Sequence, residues 1–181
     1  MTPEQSPATF QEEILPVVDA NDIEISSAPR SEVHRRAWRH RAVHIIVSNS
    51  QGQILLQRRS LLKETYPGYW DVSVGGHVSV AETYEEAARR EFREELGVDA
   101  PLDFVTKLNA SPLTNWEFIE IYETRHDGPF APPPEEITDL LWMRPDDVMQ
   151  KAALERSWML TRSGLNTIRT WCETTRLGSQ F

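Results

Sequence analysis

The chain has 181 residues, of which 39% are hydrophobic and 26% charged, an ordinary composition for a globular protein with one sizeable core. Its net charge of −9 opposes nonspecific nucleic-acid binding, and its single cysteine, Cys172, excludes an internal disulfide framework. No apolar run reaches membrane-spanning length, and the polar, acidic start MTPEQSPATFQEE lacks the basic end and apolar core of a signal peptide, so a cytoplasmic protein without membrane contact is expected.

Residues 1–11 read as a flexible N-terminus, ahead of a single domain over 12–181 whose first part, 12–40, is an extension. Residues 12–18 and 23–26 are expected to be two short strands around the turn Asp19-Ala20-Asn21-Asp22, and Ser31 to cap a short helix over 31–38. Residues 42–49 form a strand with Val43, Ile45 and Val47 on one face. Ser50-Gln51-Gly52 then turns the chain back into 53–59, which suggests a hairpin. Pro67-Gly68 is a turn before a strand over 69–74 that leads into Gly75-Gly76. Further strands are expected over 102–109, 116–124 and 137–143, the last with Ile137, Leu140 and Trp142 as core candidates. Helices are expected from Pro145 to about Leu154 and over 160–175. Trp142, Trp158 and Trp171 are core residues by default. Strands in the middle, with helices inserted and appended, predict a mixed sheet sandwiched by helices.

The segment between the double glycine and Val98 carries the chemistry. Tyr84, Ala88, Phe92 and Leu96 recur every fourth residue, with Ala87 beside them, which is one apolar face of a helix. Glu85 and Glu86 put negative charge at its N-terminus, and Gly97 stops it. Glu91, Glu94 and Glu95, three and four residues apart, share a face. Stacked carboxylates repel each other, whereas a hard divalent cation wants several oxygen ligands. Gly75-Gly76 offers backbone free of side chains that can approach phosphate or turn a carbonyl to a metal. Paired to Arg89, Arg90 and Arg93, the same glutamates would instead be a solvated helix face.

Gly76, Glu82, Arg90, Glu91, Phe92, Glu94, Glu95, Gly97 and Val98 stand at the offsets of the Nudix box over residues 76–98, with Phe92 a bulky choice at its apolar position. The chain therefore resembles the Nudix superfamily. That resemblance implies the α/β/α sandwich of that fold with a mixed central sheet, an α/β protein, over about residues 40–155. It also implies a Mg2+- or Mn2+-dependent hydrolase acting on a small-molecule diphosphate. Carried over, Glu91 and Glu95 are metal ligands, Glu94 is a ligand or the base, Glu82 is an outer or additional ligand, Gly76 or Gly75 offers a carbonyl, and Arg90 orients a glutamate. Glu117 and Glu120 are rival bases outside the box. Many Nudix proteins are dimers, so a homodimer is a further expectation.

A second resemblance runs over residues 12–150. His40-Arg41-Ala42, Leu56-Gln57-Arg58-Arg59-Ser60, Lys63, Pro67-Gly68, Trp70-Asp71 and Ser73 are similar to the isopentenyl-diphosphate isomerase branch. Gly75 stands where that isomerase carries its catalytic cysteine. Glu117 matches its second acid, Asn115 replaces a metal-binding glutamate, and His34, His40 and His77 match part of its metal site. Loss of the cysteine beside an intact box implies a hydrolase of isomerase-like sequence. The alternatives are an isomerase and a non-catalytic ligand-sensing module. Arg58, Arg59, Lys63 and His77 are candidate phosphate contacts, against a solvated basic edge. His34 and His44 read as structural or solvent-facing. Trp70 and Trp116 are core residues or stacking platforms.

Overall fold

The computed structural model describes residues 12–155 and 157–178; the expected flexible segment 1–11 lies outside them. The first strands, β1 (Ile14–Val18) and β2 (Glu24–Pro29), pair antiparallel around the turn at Asp19–Asp22. They lead into a six-residue helix, α1 (Arg30–Arg35). Ser31 does not cap it. The helix begins one residue earlier, after Pro29, and the Ser31 amide instead donates to Glu12 Oε1 at 2.8 Å.

The centre of the fold is β3 (His40–Ser48), whose residues Ala42–Val47 are all buried. It runs parallel to β8 (Glu117–Arg125) along its whole length, and β8 pairs antiparallel with β7 (Asp103–Leu108). A short 3-10 turn at Pro112–Thr114 precedes β8. On the other side, β4 (Ile54–Arg59) pairs antiparallel with β9 (Ile137–Met143).

The expected hairpin between β3 and β4 is only a point contact, the pair Ser48↔Ile54. Beyond it the strands part and the next segment enters between them. There β5 (Trp70–Asp71) pairs with β4, and β6 (Val74–His77) pairs with Ala42–Ile45 of β3. Ser73, between β5 and β6, stitches the split: its hydroxyl accepts from Val47 N at 2.8 Å and donates to the Leu55 carbonyl at 2.7 Å. Gly75 and Gly76 are therefore strand residues held in register with His44 and Val43, not a free loop.

Alternation along β3 sends side chains to two cores, because successive strand residues point to opposite faces. Val43, Ile45 and Val47 pack with Ala87, Ala88, Phe92 and Leu96 of α2 (Tyr84–Leu96). Ala42 and Ile46 pack on the other face with Val148 of α3 (Pro145–Leu154) and with Ile168 and Cys172 of α4 (Arg162–Gly178). The result is a seven-stranded mixed sheet between helices, the expected sandwich. Trp142 packs against the first core, and Trp70, Trp158 and Trp171 against the second.

Local chemistry sets the ends of α2. Thr83 Oγ1 accepts from Glu86 N and Glu86 Oε2 accepts from Thr83 N, a reciprocal cap, and Gly97 closes the helix at φ 71°. The α4 N-terminus is pinned to the sheet. Thr161 Oγ1 donates to the buried Asp71 Oδ1 at 2.7 Å and accepts from Gly164 N at 3.1 Å. A Cβ on Gly164 would meet Asp71 Oδ1 at 2.4 Å. We therefore expect Gly164→Ala to destabilise the protein by about 1–3 kcal/mol, seen as a lower urea midpoint at unchanged slope.

Candidate active site and metal centres

The apolar stripe of α2 sinks the helix onto the sheet, and its carboxylates go down with it. Glu95 is only 6% exposed. Its Oε2 accepts from Gln57 Nε2 at 2.8 Å and from Gly75 N at 3.4 Å. Glu91 lies against Gly76 so closely that an added Cβ would sit 2.0 Å from its carboxyl carbon. Only glycine lets helix and strand approach this far. Burial pushes Glu91 up to about 7, with Glu94 adding to the rise and Arg90 opposing it. Burial, then the neighbouring Glu91, pushes Glu95 up to about 8. Burial disfavours the charged form of both carboxyls, and the nearby cations, Arg90 at Glu91 and Lys63 at Glu95, offset only part of it. That donor set fits a hard divalent cation, which would supply the missing charge.

Arg90 is the hub beside them. It donates to both oxygens of Glu82 at 2.8 and 2.9 Å, to Glu91 Oε1 at 2.6 Å, to Glu94 Oε2 at 3.2 Å and to the His77 carbonyl at 3.0 Å. Glu82 also accepts from Ser79 N at 2.8 Å. Burial alone would raise the Glu82 carboxyl, but Arg90 and the Ser79 amide hold it below its ordinary value. Both Glu82 oxygens are thus engaged in holding Arg90. Glu94 points outward, with 59% of its side chain exposed.

Across β6 stands a second cluster. His34 of α1, His40 at the start of β3, His77 at the end of β6 and Glu117 at the start of β8 each place one donor atom within 4.8 Å of the others. The parallel register sets His40 opposite Glu117, and the antiparallel one sets His77 opposite Ala42. His34 Nε2 lies 3.2 Å from His77 Nε2, and Glu117 Oε1 lies 3.6 Å from His40 Nε2 and 3.8 Å from His77 Nε2. His40 is 1% exposed; its Nδ1 bonds the Trp38 carbonyl at 2.9 Å, while its Nε2 is buried with no hydrogen-bond partner among the described residues. Burial, then repulsion from His77 and His40, lowers His34 to about 4, which keeps it in the neutral form that binds metals. Burial works against the Glu117 charge, but the surrounding imidazoles outweigh it and hold the carboxyl below its ordinary value. An orphaned imidazole nitrogen amid nitrogen and carboxylate donors fits a transition-metal ion. Glu13, 3.4 Å from His77 Nδ1, orients that ring from outside.

A cavity of about 560 Å³ opens beside this cluster, with Gly75, Gly76, His77 and Glu117 in its wall. The box carboxylates are not in that wall; Glu91 sits behind Gly76. Of the expected phosphate contacts, Arg59, Lys63 and His77 line the cavity. Arg58 does not, and donates to the Gly68 carbonyl at 3.3 Å. Arg59 Nη1 lies 3.8 Å from Asp71 Oδ2, and Lys63 pairs with Glu136. Glu120, one rival base, is engaged by Lys107 and Tyr122, whereas Glu117, the other, faces the cavity. His34, read by itself as structural or solvent-facing but by the isomerase resemblance as part of a metal site, lies in the histidine cluster; His44 is buried and bonds Thr167 Oγ1 at 2.7 Å. Trp116 lines the cavity.

Sequence reasoning missed Glu13, Arg30, Gln57, the cavity residues Thr65 and Tyr66, and the α4 N-terminus with Arg162 and Ser163. Arg30 stands four residues before His34, on one helix face, and Gln57 is a polar residue in an apolar strand, so both left a faint signal. Nothing local connects Glu13 or Ser163 to residues so distant in the chain.

The NUDIX domain matches residues 38–162. An uncharacterized Nudix hydrolase of Pseudomonas aeruginosa is 34% identical over 146 residues, 80% of this chain and 86% of that protein. A protein of Photorhabdus laumondii named isopentenyl-diphosphate Delta-isomerase 2 is 34% identical over 137 residues, 73% of this chain and 77% of its own length. A Deinococcus radiodurans protein of known crystal structure superposes with a TM-score of 0.78 at 32% identity, covering 87% of this chain and 98% of that one. With Glu91 of the box packed on Gly76 and this extent of likeness in sequence and fold, the chain belongs to the Nudix family.

Proposed function

We propose that the protein is a magnesium- or manganese-dependent hydrolase of a small organic diphosphate, such as a nucleoside diphosphate derivative. One observation carries this reading: Glu91 packs against Gly76, Glu95 is buried beside Gln57 and the Gly75 amide, and burial pushes the two carboxyls up to about 7 and 8. Divalent ions held there would neutralise phosphate charge and activate water. Glu91 and Glu95 would hold the ion, with the carbonyl of Gly76 or Gly75 as a further ligand. Glu82 and Arg90 keep the glutamates oriented. Arg59, Lys63 and His77 meet the phosphate oxygens from the cavity wall. Glu94, the exposed member, takes the proton of the water that attacks phosphorus as the bridging P–O bond breaks.

The His34–His40–His77–Glu117 cluster and the relatives named as isomerases favour a second reading, an isopentenyl-diphosphate isomerase. Gly75 argues against it, because no thiol stands there and a Cβ would already lie 3.2 Å from His44. Formation of dimethylallyl diphosphate from isopentenyl diphosphate would decide for the isomerase.

With Mg2+ and a panel of nucleoside diphosphate sugars, dinucleoside polyphosphates and isoprenoid diphosphates, we expect hydrolysis by the unaltered protein. Glu94→Gln should lower kcat on the order of a hundred- to ten-thousand-fold, with an unchanged circular dichroism spectrum. Full activity in this variant would remove Glu94 from the mechanism.

A pH dependence follows. The folded Glu91 and Glu95 bind protons more tightly than the ordinary value of 4.5, so without metal the folded state carries more protons than the unfolded one up to about pH 8. Their contribution to stability therefore falls as pH rises from about 4.5 through 8. Glu95→Gln keeps an acceptor for Gln57 but cannot ionise. In chelator-treated protein the melting temperature of Glu95→Gln relative to the parent should be higher at pH 9 than at pH 5; a constant difference would show that Glu95 carries no such penalty.

A further inference from the structure

A buried imidazole, that of His44, opens onto the cavity floor. It sits on the face of β3 that Ala42 and Ile46 turn toward α4, and it is only 5% exposed. Its Nδ1 lies 2.7 Å from Thr167 Oγ1 of α4. Thr167 fixes which ring nitrogen holds the proton. The Thr167 side chain is fully buried, and among the described residues its hydroxyl has His44 Nδ1 as its single hydrogen-bond partner. Thr174 and Thr175 of the same helix give their protons to the carbonyls of Thr170 and Trp171, four residues back, whereas Thr167 makes no such bond. Buried donors left unmet are rarer than acceptors with a spare lone pair, so Thr167 donates and Nδ1 accepts. Burial lowers the pKa of His44 and keeps the ring neutral. A neutral imidazole that accepts at Nδ1 carries its proton at Nε2.

That proton borders the space over Gly75. A Cβ built on Gly75 would lie 3.2 Å from His44 Cδ2 and 3.4 Å from Nε2, so this edge of the ring faces the volume that the missing side chain leaves. Gly75 and His44 both line the cavity. His44 Nε2 has no hydrogen-bond partner among the described residues and, unlike His40 Nε2, is not sealed from solvent. The surroundings set what it can meet. Arg59 stands close enough to oppose a positive charge on the ring. With Arg30, Lys63 and Arg162 it lines the cavity, where these cations outnumber the carboxylates of Asp71 and Glu117. In a chain of net charge −9 this is a locally positive hollow, and an anionic phosphoryl oxygen is the acceptor such a donor suits.

We propose that His44 is a substrate-binding residue that donates its Nε2–H to a non-bridging oxygen of the diphosphate, in the gap left by Gly75, with Thr167 as the positioning residue that sets its tautomer. The contact rests on the diphosphate-hydrolase reading for its substrate but is tested by binding alone. It gives the one polar side chain between Val43 and Ile45 of the central strand a use beyond packing, and it ties substrate binding to α4 through the Thr167 hydroxyl.

The probe is methylenediphosphonate with Mg2+, because its P–C–P bridge cannot be hydrolysed. Nitrogen NMR of protein with isotope-labelled histidine, with His44 assigned through its backbone, shows which ring nitrogen is protonated. We expect the proton at Nε2 in the free protein, and its resonance should move downfield and exchange more slowly once the probe binds. Thr167→Val should let part of the ring pass to the tautomer protonated at Nδ1; an unchanged tautomer overturns the part assigned to Thr167. His44→Asn keeps an oxygen for the Thr167 hydroxyl and removes the Nε2 donor. By calorimetry it should bind the probe about ten- to a hundredfold more weakly, as expected for a lost hydrogen bond to a charged group. A proton at Nδ1 in the parent, an Nε2 signal indifferent to the probe, parental affinity in His44→Asn, or a parent that does not bind the probe each overturns the proposal. Where His44→Asn folds poorly, the spectrum of the parent decides. If the probe engages Nε2 as expected and no diphosphate is hydrolysed with Mg2+, the hydrolase reading fails and the contact stands. Hydrolysis with an indifferent Nε2 signal removes the contact and leaves the hydrolase.

Discussion

The contact of Glu91 with Gly76 is the constraint around which the rest is arranged. Helix α2 has an apolar stripe that must be buried, and burying it to van der Waals distance drives the adjoining carboxyls into the sheet. A side chain at position 76 would hold the helix off and let water reach those groups. With glycine there, Glu91 and Glu95 lose their solvent, and their charged forms become unfavourable. Arg90 offsets part of this cost and is itself fixed by Glu82 and by the His77 carbonyl. The remaining deficit of positive charge is what makes the place suited to a cation.

Strand β6 joins the two clusters. Gly76 backs onto the box glutamates, and the next residue, His77, gives its carbonyl to Arg90 and its ring to His34 and Glu117. A shift of β6 along β3 would therefore disturb both at once. The wedge of β5 and β6 between β3 and β4, bridged by the Ser73 hydroxyl, fixes that position. Around it, distant parts of the chain close the site: the β1–β2 pair and α1 bring Glu13, Arg30 and His34, and α4 brings Arg162 and Ser163. The histidine cluster and the cavity share His34, His77 and Glu117, so an ion among those donors would adjoin bound substrate.

Much of this was legible in the linear chain. Helix α2 was readable because Glu85 and Glu86, the stripe from Tyr84 to Leu96 and the stop at Gly97 act within a few residues of one another; the reciprocal cap of Thr83 and Glu86 was not read. Helix α3 begins at Pro145 for the equally local reason that proline suits a first turn. The misreadings were of another kind. Ser31 looked like a cap, but Glu12, from the start of the chain, took its amide. The apparent β3–β4 hairpin had the right turn, but a later segment competed for both strand edges.

The sequence by itself therefore determined the elements, the amphipathic box helix and the set of carboxylates on its face, because helix period and capping are interactions between near neighbours. Which of those carboxylates would be dry, and which histidines would meet Glu117, only the tertiary structure decided. These properties depend on strand register and on how closely two surfaces approach, and those are set jointly by residues far apart in the chain.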